Sequence, residues 1–354
     1  MQRRAVVLVN LGSPPSSSVP DVRSYLKEFL MDPNVIDLPS WIRYLLVHAI
    51  IVPFRSVRSS RLYEKLGKGG GFPLIYHSTE LNQKVRKQLP DEVDLFLGMR
   101  YGKPSLKRIL QQIRNTAYDE LLIFPLYPQY ASSTSGSVIK LLSMELKGSP
   151  LYEKTRIIPQ FHNEFGFIDL WQKKISAFKP ETYDAIVFSY HGIPIRQTRI
   201  AHPEKSCEIL KCEQNYTGLN EYCYHASCYQ TTKSIAKGLN IGNDRIFTSF
   251  QSRFGRNWLE PYTDQVLLKL ARDGRRKILI ISPSFVADCL ETTIEIGHEY
   301  KELFRKAGGE LLTLVPSLNS DTDWISFIAR VATDPNQNSI RLKNWTTSLK
   351  TASK

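Results

Sequence analysis

The chain of 354 residues has no apolar run able to cross a bilayer. Such a span takes about 20 consecutive apolar residues, and the best candidate, Leu45–Phe54 (LLVHAIIVPF), is half that and holds His48 and Pro53. No small-residue cleavage site follows the short apolar run of MQRRAVVLVNLGSP, so no secretory leader is expected and the cytoplasm is the expected compartment. The phosphate-cradling pattern GxxxxGK[ST] is missing: the glycine-rich run 67–71 has no strand before it and no hydroxyl after Lys68. Acids are scarce, 34 against 47 Lys plus Arg, and the resulting charge of +13 favours an anionic partner: nucleic acid, an acidic membrane surface or an acidic small molecule. RNA-binding and helix-turn-helix signatures are absent, which makes nucleic acid the weakest of the three. Cysteines number five, an odd count in a long chain without a leader, which argues against a disulfide framework.

What is present is an ordinary globular mixture, 42% hydrophobic and 23% charged, so collagen-like, low-complexity and disordered chains are excluded. The length suits two domains of about 150 residues. Short apolar runs rich in β-branched residues recur at Ala5–Leu11, Leu95–Met99, Glu120–Pro125, Arg156–Pro159, Ala185–Tyr190, Arg245–Phe250, Lys277–Ser282 and Leu311–Val315. They read as strands of parallel sheets covered on both faces. Helix-like segments lie between them near Val19–Asp32, Pro104–Asn115, Ser137–Leu146, Phe165–Phe178, Tyr224–Leu239, Leu259–Asp273, Asp288–Lys306 and Trp324–Ala332. This alternation predicts an α/β fold.

The halves also resemble each other: Val7–Pro14 (VLVNLGSP) has a counterpart in Val187–Pro194 (VFSYHGIP), and Glu120–Pro125 in Lys277–Pro283. Two similar open-sheet domains are therefore expected, 1–165 and 166–330, facing each other across a cleft, with a polar tail over 331–354. Ligands of such sheets bind beyond the carboxyl ends of the strands, where Asn10, Pro125, His191 and Pro283 fall.

Three motifs at those ends carry chemistry. In SYHGIP (189–194) an imidazole follows a strand directly, placed to act as base or metal donor, or else to hydrogen-bond the turn. After the strand at Lys277–Ser282, Asp288, Glu291, Glu295 and His298 share one face at 100° per residue, opposite Cys289, Ile296, Tyr300, Leu303 and Phe304. That stripe suits proton transfer or cation binding at its first turn, while Glu299 and Glu302 read as solvated surface. The loops Gly98–Pro104, Pro125–Gly136 and Gln251–Tyr262 mix aromatics with arginine or hydroxyl residues, a composition suited to a flat apolar ligand bearing carboxylates.

Six segments, LVNLGSP (8–14), GMRYGKP (98–104), PLYPQYASSTSGS (125–137), SYHGIP (189–194), FQSRFGR with Trp258 (250–258) and FVADCLET with Glu295 (285–295), together resemble the signatures of the ferrochelatases, a class II chelatase family, in its bacterial form. The likeness spans residues 4–330. It implies two flavodoxin-like (chelatase) domains and a lyase that inserts Fe2+ into protoporphyrin IX, or a related porphyrin such as coproporphyrin, at the end of haem synthesis. The resemblance places His191 beside the ring centre as proton acceptor or metal contact, and assigns Glu291 and Glu295 to proton removal or metal delivery. By the same likeness Asn10, Leu11, Arg100, Tyr101, Tyr127, Tyr130 and Trp258 line the porphyrin pocket. Arg55 and Arg58, on a looser match, meet its propionates. Porphyrin and ferrous iron are the implied partners; oligomeric state is left open, and a cobalt chelatase or a porphyrin carrier are the competing readings.

Cys207, Cys212, Cys223 and Cys228 form C-x4-C-x10-C-x4-C. Some members of the resembled family carry a [2Fe-2S] cluster on four cysteines, often partly in the C-terminal tail, and this tail has none. Three readings stand: such a cluster on these four, zinc with His225 or His202 among its ligands, or thiols that hold no metal. Cys289 is expected in the core. Trp41, Leu45, Leu46, Ile50, Ile51 and Phe54, followed by Arg55, Arg58 and Arg61, resemble an amphipathic lip for peripheral contact with an anionic bilayer at its inner face, or equally a core edge with a solvated face.

Overall fold

In a computed structural model the described residues are 3–66, 72–199, 201, 202, 205–334 and 339–345. The glycine-rich run 67–71 and the tail beyond 345 lie outside them. The chain divides into two compact units, one of residues 1–127, 132–160 and 320–354, the other of residues 128–131 and 161–319.

The first unit holds β1 (Arg4–Asn10), β2 (Val93–Met99), β3 (Glu120–Pro125) and β4 (Thr155–Ile157), and the second β5 (Ala185–His191), β6 (Ile246–Gln251), β7 (Lys277–Ile281) and β8 (Leu311–Leu314). A short β9 (Ile340–Arg341) returns to the first. The strand order is β2-β1-β3-β4-β9 in one sheet and β6-β5-β7-β8 in the other. All pairs are parallel except β4 with β9. With β9 set aside, the two orders are the same, a doubly wound arrangement in which β1 corresponds to β5 and β3 to β7. Those are the strands whose sequences resemble each other.

Covered on both faces, these strands are apolar throughout. Ala5–Val9 of β1 and Ala185–Phe188 of β5 have no exposed surface. In the second unit Val187, Ile278 and Ile280 pack with Leu267 and Leu270 of the helix Thr263–Arg272 and with Ile296 and Phe304. Each such side chain contributes roughly 1.5–3 kcal/mol by leaving water.

The helix Thr322–Thr333 belongs to the first unit, unlike the expected boundary at 330. Nonlocal polar contacts draw it there. Arg4 donates from Nη1 to the Thr333 carbonyl at 3.0 Å, and Ser320, just before the helix, accepts from Lys84 Nζ at 3.2 Å and donates to Glu80 at 2.6 Å. Part of the expected polar tail is also built in, since Leu342 and Trp345 are buried and β9 pairs with Arg156 and Ile157. No helix among the described residues is long and apolar enough to cross a membrane.

His162, in the second unit, is buried with both ring nitrogens unpartnered, and burial pushes its pKa down to about 3. The folded protein holds this imidazole neutral, while the unfolded chain takes up a proton below about pH 6.5. Stability present above pH 6.5 is therefore lost as the pH falls toward 3, by about 2 kcal/mol at pH 5. Urea midpoints at pH 7 and pH 5 should fall less far apart in His162→Asn than in the parent; an equal drop in both would refute this.

Candidate functional site

β5 ends at His191, and the turn after it is possible because residue 192 is glycine. The Gly192 amide donates to the Gln251 carbonyl at 2.8 Å, and a Cβ there would meet that oxygen at 2.9 Å and the Trp258 ring at 3.2 Å. His191 Nδ1 lies 2.6 Å from the Gly192 carbonyl oxygen. A carbonyl can only accept, so Nδ1 carries the proton and Nε2 keeps its lone pair. The Tyr224 hydroxyl donates to the His191 carbonyl at 2.9 Å. Trp258 and Phe285, both half-buried, stand with ring centres 6.5 and 6.3 Å from the imidazole. The result is a half-buried imidazole near two aromatic rings, at the carboxyl end of its strand.

The acidic stripe is built differently from the α-helical expectation. Glu291–Tyr300 is π-helical and continues into the α-helix Lys301–Lys306. A π-helix bonds i to i+5, so side chains five apart come together. Tyr300, expected opposite Glu295, donates its hydroxyl to Glu295 at 2.7 Å. Glu295 also accepts from the Ser252 amide at 2.9 Å and from the Ser252 hydroxyl. Ser252 has φ 60°, a left-handed conformation that costs a residue with a Cβ of order 1–3 kcal/mol. Because His191 pairs with Gln251 across the sheet, Glu295 holds the residue immediately after the histidine's partner.

Asp288 accepts from the Ser317 amide at 3.2 Å and Asn319 Nδ2 at 2.7 Å, anchoring the loop after β8. Glu291 is half-buried and lies beside the Cys289 thiol, whose pKa burial and this carboxylate push well up. Cys289 is in the core, as expected. Glu299 is exposed and Glu302 pairs with Arg305 at 3.1 Å, in line with their reading as surface, and His298, expected at the end of the stripe, is exposed as well.

In the first unit, β1 ends at Asn10, whose Nδ2 donates to Ser78 Oγ at 3.0 Å and whose Oδ1 accepts from the Leu11 amide at 2.8 Å. The Asn10 and Leu11 carbonyls accept the amides of Arg100 and Tyr101 at 2.7 and 2.9 Å. Gly12 closes the turn at φ +103°, with a hypothetical Cβ only 1.8 Å from the Tyr101 carbonyl oxygen. Leu11 and the Tyr127 ring are half-exposed; the Tyr127 hydroxyl is buried without a partner, and its pKa is raised by that burial.

Arg100 and Tyr101, both expected in the pocket, gather on a buried acid. The Arg100 guanidinium is held by the buried Asp32 at 2.5 Å and by Ser137 at 2.7 Å. The buried Tyr101 hydroxyl donates to the same Asp32 oxygen at 2.9 Å, and Ser137 does so at 2.5 Å. A carboxylate with so little access to water is stable only when paired, and these groups pair it. Asp32 and Ser137 were not singled out from the sequence; the available signal was an acid just past a helix C-terminus, where the helix dipole disfavours it. Tyr130 belongs to the second unit, buried and edge-on to Tyr222 at 5.6 Å.

The lip segment is helical: Ser40–Leu45, a π-helical stretch Leu46–Ile51, then Val52–Leu66. It splits between the two expected readings. Val47 and Ile51 are buried, whereas Trp41, Tyr44, Leu45, Ile50 and Phe54 are exposed, Phe54 by 77%. Arg55, Arg58 and Arg61 are exposed on the same segment.

The four-cysteine set is corrected. Three cysteines and a histidine, Cys207, Cys212, Cys223 and His202, have their ligand atoms within 4.8 Å of one another. Cys228 lies inside the helix Tyr224–Leu239, fully buried, and is not one of the group. His225, buried in the same helix, is not one either. The Cys228 thiol instead lies beside the buried side chains of Tyr224 and Tyr190. The residues fit a single metal ion held by three thiolates and an imidazole; they do not fit a [2Fe-2S] cluster on four cysteines.

Residues 3–335 match the sequence model of the ferrochelatase family. The ferrochelatase of Coxiella burnetii (strain CbuK_Q154) is 40% identical over 338 residues, covering 92% of each chain. That of Legionella pneumophila (strain Lens) is 40% identical over 337 residues, 94% of this chain and 99% of the relative. Among solved structures, SirB from Bacillus subtilis with Fe3+ is similar with a TM-score of 0.52 at 9% identity, over 95% of this chain and 98% of that one. Likeness at that identity shows the fold alone, an α/β chain of parallel sheets flanked by helices.

If Glu295 serves to hold Ser252 in its left-handed conformation, Glu295→Ala should destabilise the protein by about 1–3 kcal/mol in urea. In a Ser252→Gly background, where that conformation is free of cost, the loss should be smaller; the same loss in both backgrounds would contradict the assignment.

Proposed function

The chain belongs to the ferrochelatase family, and from that membership and the geometry of His191 we propose that it is a lyase inserting Fe2+ into protoporphyrin IX, or a close relative such as coproporphyrin, late in haem synthesis. Membership supports metal insertion into a porphyrin. The observation that carries the finer reading is the bond from His191 Nδ1 to the Gly192 carbonyl, which leaves Nε2 as a lone-pair donor.

The reaction exchanges two pyrrole N–H protons for one ferrous ion. Nε2 of His191 takes one of those protons as the ring nitrogen turns toward the metal, and passes it to solvent from a half-buried position. Trp258 and Phe285 offer apolar surface near the imidazole to a flat macrocycle. Glu291 is the second proton-transfer group: it sits in the first turn after the β7 loop, half-buried beside the Cys289 thiol, which suits it to receive the other proton or to pass hydrated iron. Glu295, saturated by Ser252 and Tyr300, is a positioning residue that shapes the loop next to His191. Asn10, Leu11, Tyr127 and Tyr130 remain proposed pocket residues. Arg100 is not assigned to a propionate because it neutralises Asp32, which leaves that role to Arg55 and Arg58.

The exposed Trp41, Leu45, Ile50 and Phe54 beside three arginines support peripheral contact with an anionic bilayer, from which an apolar substrate is collected. Phe54→Ser should lower co-sedimentation with phosphatidylserine vesicles several-fold without loss of folding; unchanged sedimentation would remove the membrane from the proposal.

Anaerobic mixing with Fe2+ and either protoporphyrin or coproporphyrin, followed by absorbance, tests the reaction itself. His191→Ala should lower kcat about 10²–10⁴-fold while porphyrin binding, read by fluorescence quenching, changes little. Glu291→Gln should do likewise. Full turnover in both variants, or no metallation of either porphyrin by the parent, would overturn the reading.

A further inference from the structure

We propose that His202, Cys207, Cys212 and Cys223 bind one zinc ion in a tetrahedral Cys3His site, which ties the segment Cys207–Cys223 to the start of the helix Tyr224–Leu239.

The spacing of the ligand atoms carries the inference. Cys207 Sγ lies 3.6 Å from Cys223 Sγ and 3.5 Å from His202 Nε2, and Cys212 Sγ lies 3.9 Å from the same nitrogen. Zn–S bonds of about 2.3 Å and Zn–N bonds of about 2.0–2.1 Å in a tetrahedron set edges of about 3.6–3.8 Å. Those three separations match such edges, and with all four ligand atoms within 4.8 Å of one another the set can surround one ion. A two-iron cluster, by contrast, shares its ligands between two irons, as two pairs set further apart.

The imidazole is prepared for the role. His202 Nδ1 donates to the Lys205 carbonyl at 2.7 Å, which turns the Nε2 lone pair toward the sulfurs. This is the outer support that metal-binding histidines generally have. Asn220 Nδ2 donates to Cys212 Sγ at 3.4 Å and also to the Asn215 carbonyl at 2.9 Å, orienting one sulfur and closing the loop that carries it. His202, Cys212 and Cys223 are buried, at 5%, 1% and 0% exposure. What packs around them is thin: Ala226 is buried with the cysteines, and Ala201, Leu210 and Tyr216 are only partly so. So small a cluster supplies little hydrophobic stabilisation to the segment. A metal supplies what the packing does not.

Binding displaces thiol protons to solvent and changes no oxidation state. The cross-link fixes Cys223, and the next residue, Tyr224, is the one whose hydroxyl holds the His191 carbonyl.

The full-length protein, purified from zinc-supplemented growth, should be colourless and carry close to one zinc per chain by elemental analysis. Cys228→Ser should keep that zinc, while Cys212→Ser and His202→Ala should each lose most of it. The stripped parent protein loaded with Co2+ should show tetrahedral ligand-field bands with sulfur-to-cobalt charge transfer, a readout independent of whether the ligand variants fold. Iron with equimolar acid-labile sulfide, zinc lost on Cys228→Ser but kept on Cys212→Ser, or a parent protein that takes up neither zinc nor cobalt would each overturn the proposal.

Discussion

The hydrogen bond from His191 Nδ1 to the carbonyl of the next residue decides which nitrogen of the imidazole can do chemistry. Much of the second unit converges on it. The parallel sheet brings β5 out to His191, the absence of a side chain at 192 lets the turn close against Gln251 and Trp258, and Tyr224 reaches back from its helix to hold the His191 carbonyl. Beyond that turn, Glu295 braces Ser252 in a backbone conformation it would not otherwise prefer. Strain stored in one loop is thus balanced by a carboxylate on a neighbouring helix.

Much of the fold was legible because parallel strands covered on both faces are apolar throughout. Eight of the nine strands among the described residues coincide with such runs, and the similarity of Val7–Pro14 to Val187–Pro194 marked the duplication. Elements whose reasons lie far away in sequence were hidden. β9 is two residues long and owes its existence to the free edge of β4. The helix Thr322–Thr333 was visible as a helix, but its place in the first unit rests on Arg4, Glu80 and Lys84. The helices Ser40–Leu66 and Pro73–Arg86 were not delimited, since the former leaves much of its apolar face uncovered and so lacks a clean amphipathic period.

The site divides in the same way. A histidine after a strand and before glycine announces itself, as does an acid in the first turn of the next helix. What the sequence does not display is which charges are already neutralised. Arg100 looked free to meet a carboxylate until Asp32, sixty-eight residues away, was seen beneath it. The wider π-helical turn moved Tyr300 to Glu295, which a regular wheel cannot anticipate. The symmetric spacing of Cys207, Cys212, Cys223 and Cys228 suggested a quartet, yet the last thiol lies within the helix beginning at Tyr224, outside the group that His202 completes.

The repeated strand order has a consequence for how work is divided in a duplicated protein. Aligning VLVNLGSP with VFSYHGIP sets Gly12 against Gly192 and Leu11 against His191. Both halves kept the glycine-dependent corner at the end of the leading strand, but only one placed a titratable ring there. The other kept a hydrocarbon side chain, suited to touching a flat apolar surface and incapable of accepting a proton. Duplication thus left two glycine-dependent corners with different chemistry at the same position, a hydrocarbon side chain in one half and an imidazole in the other.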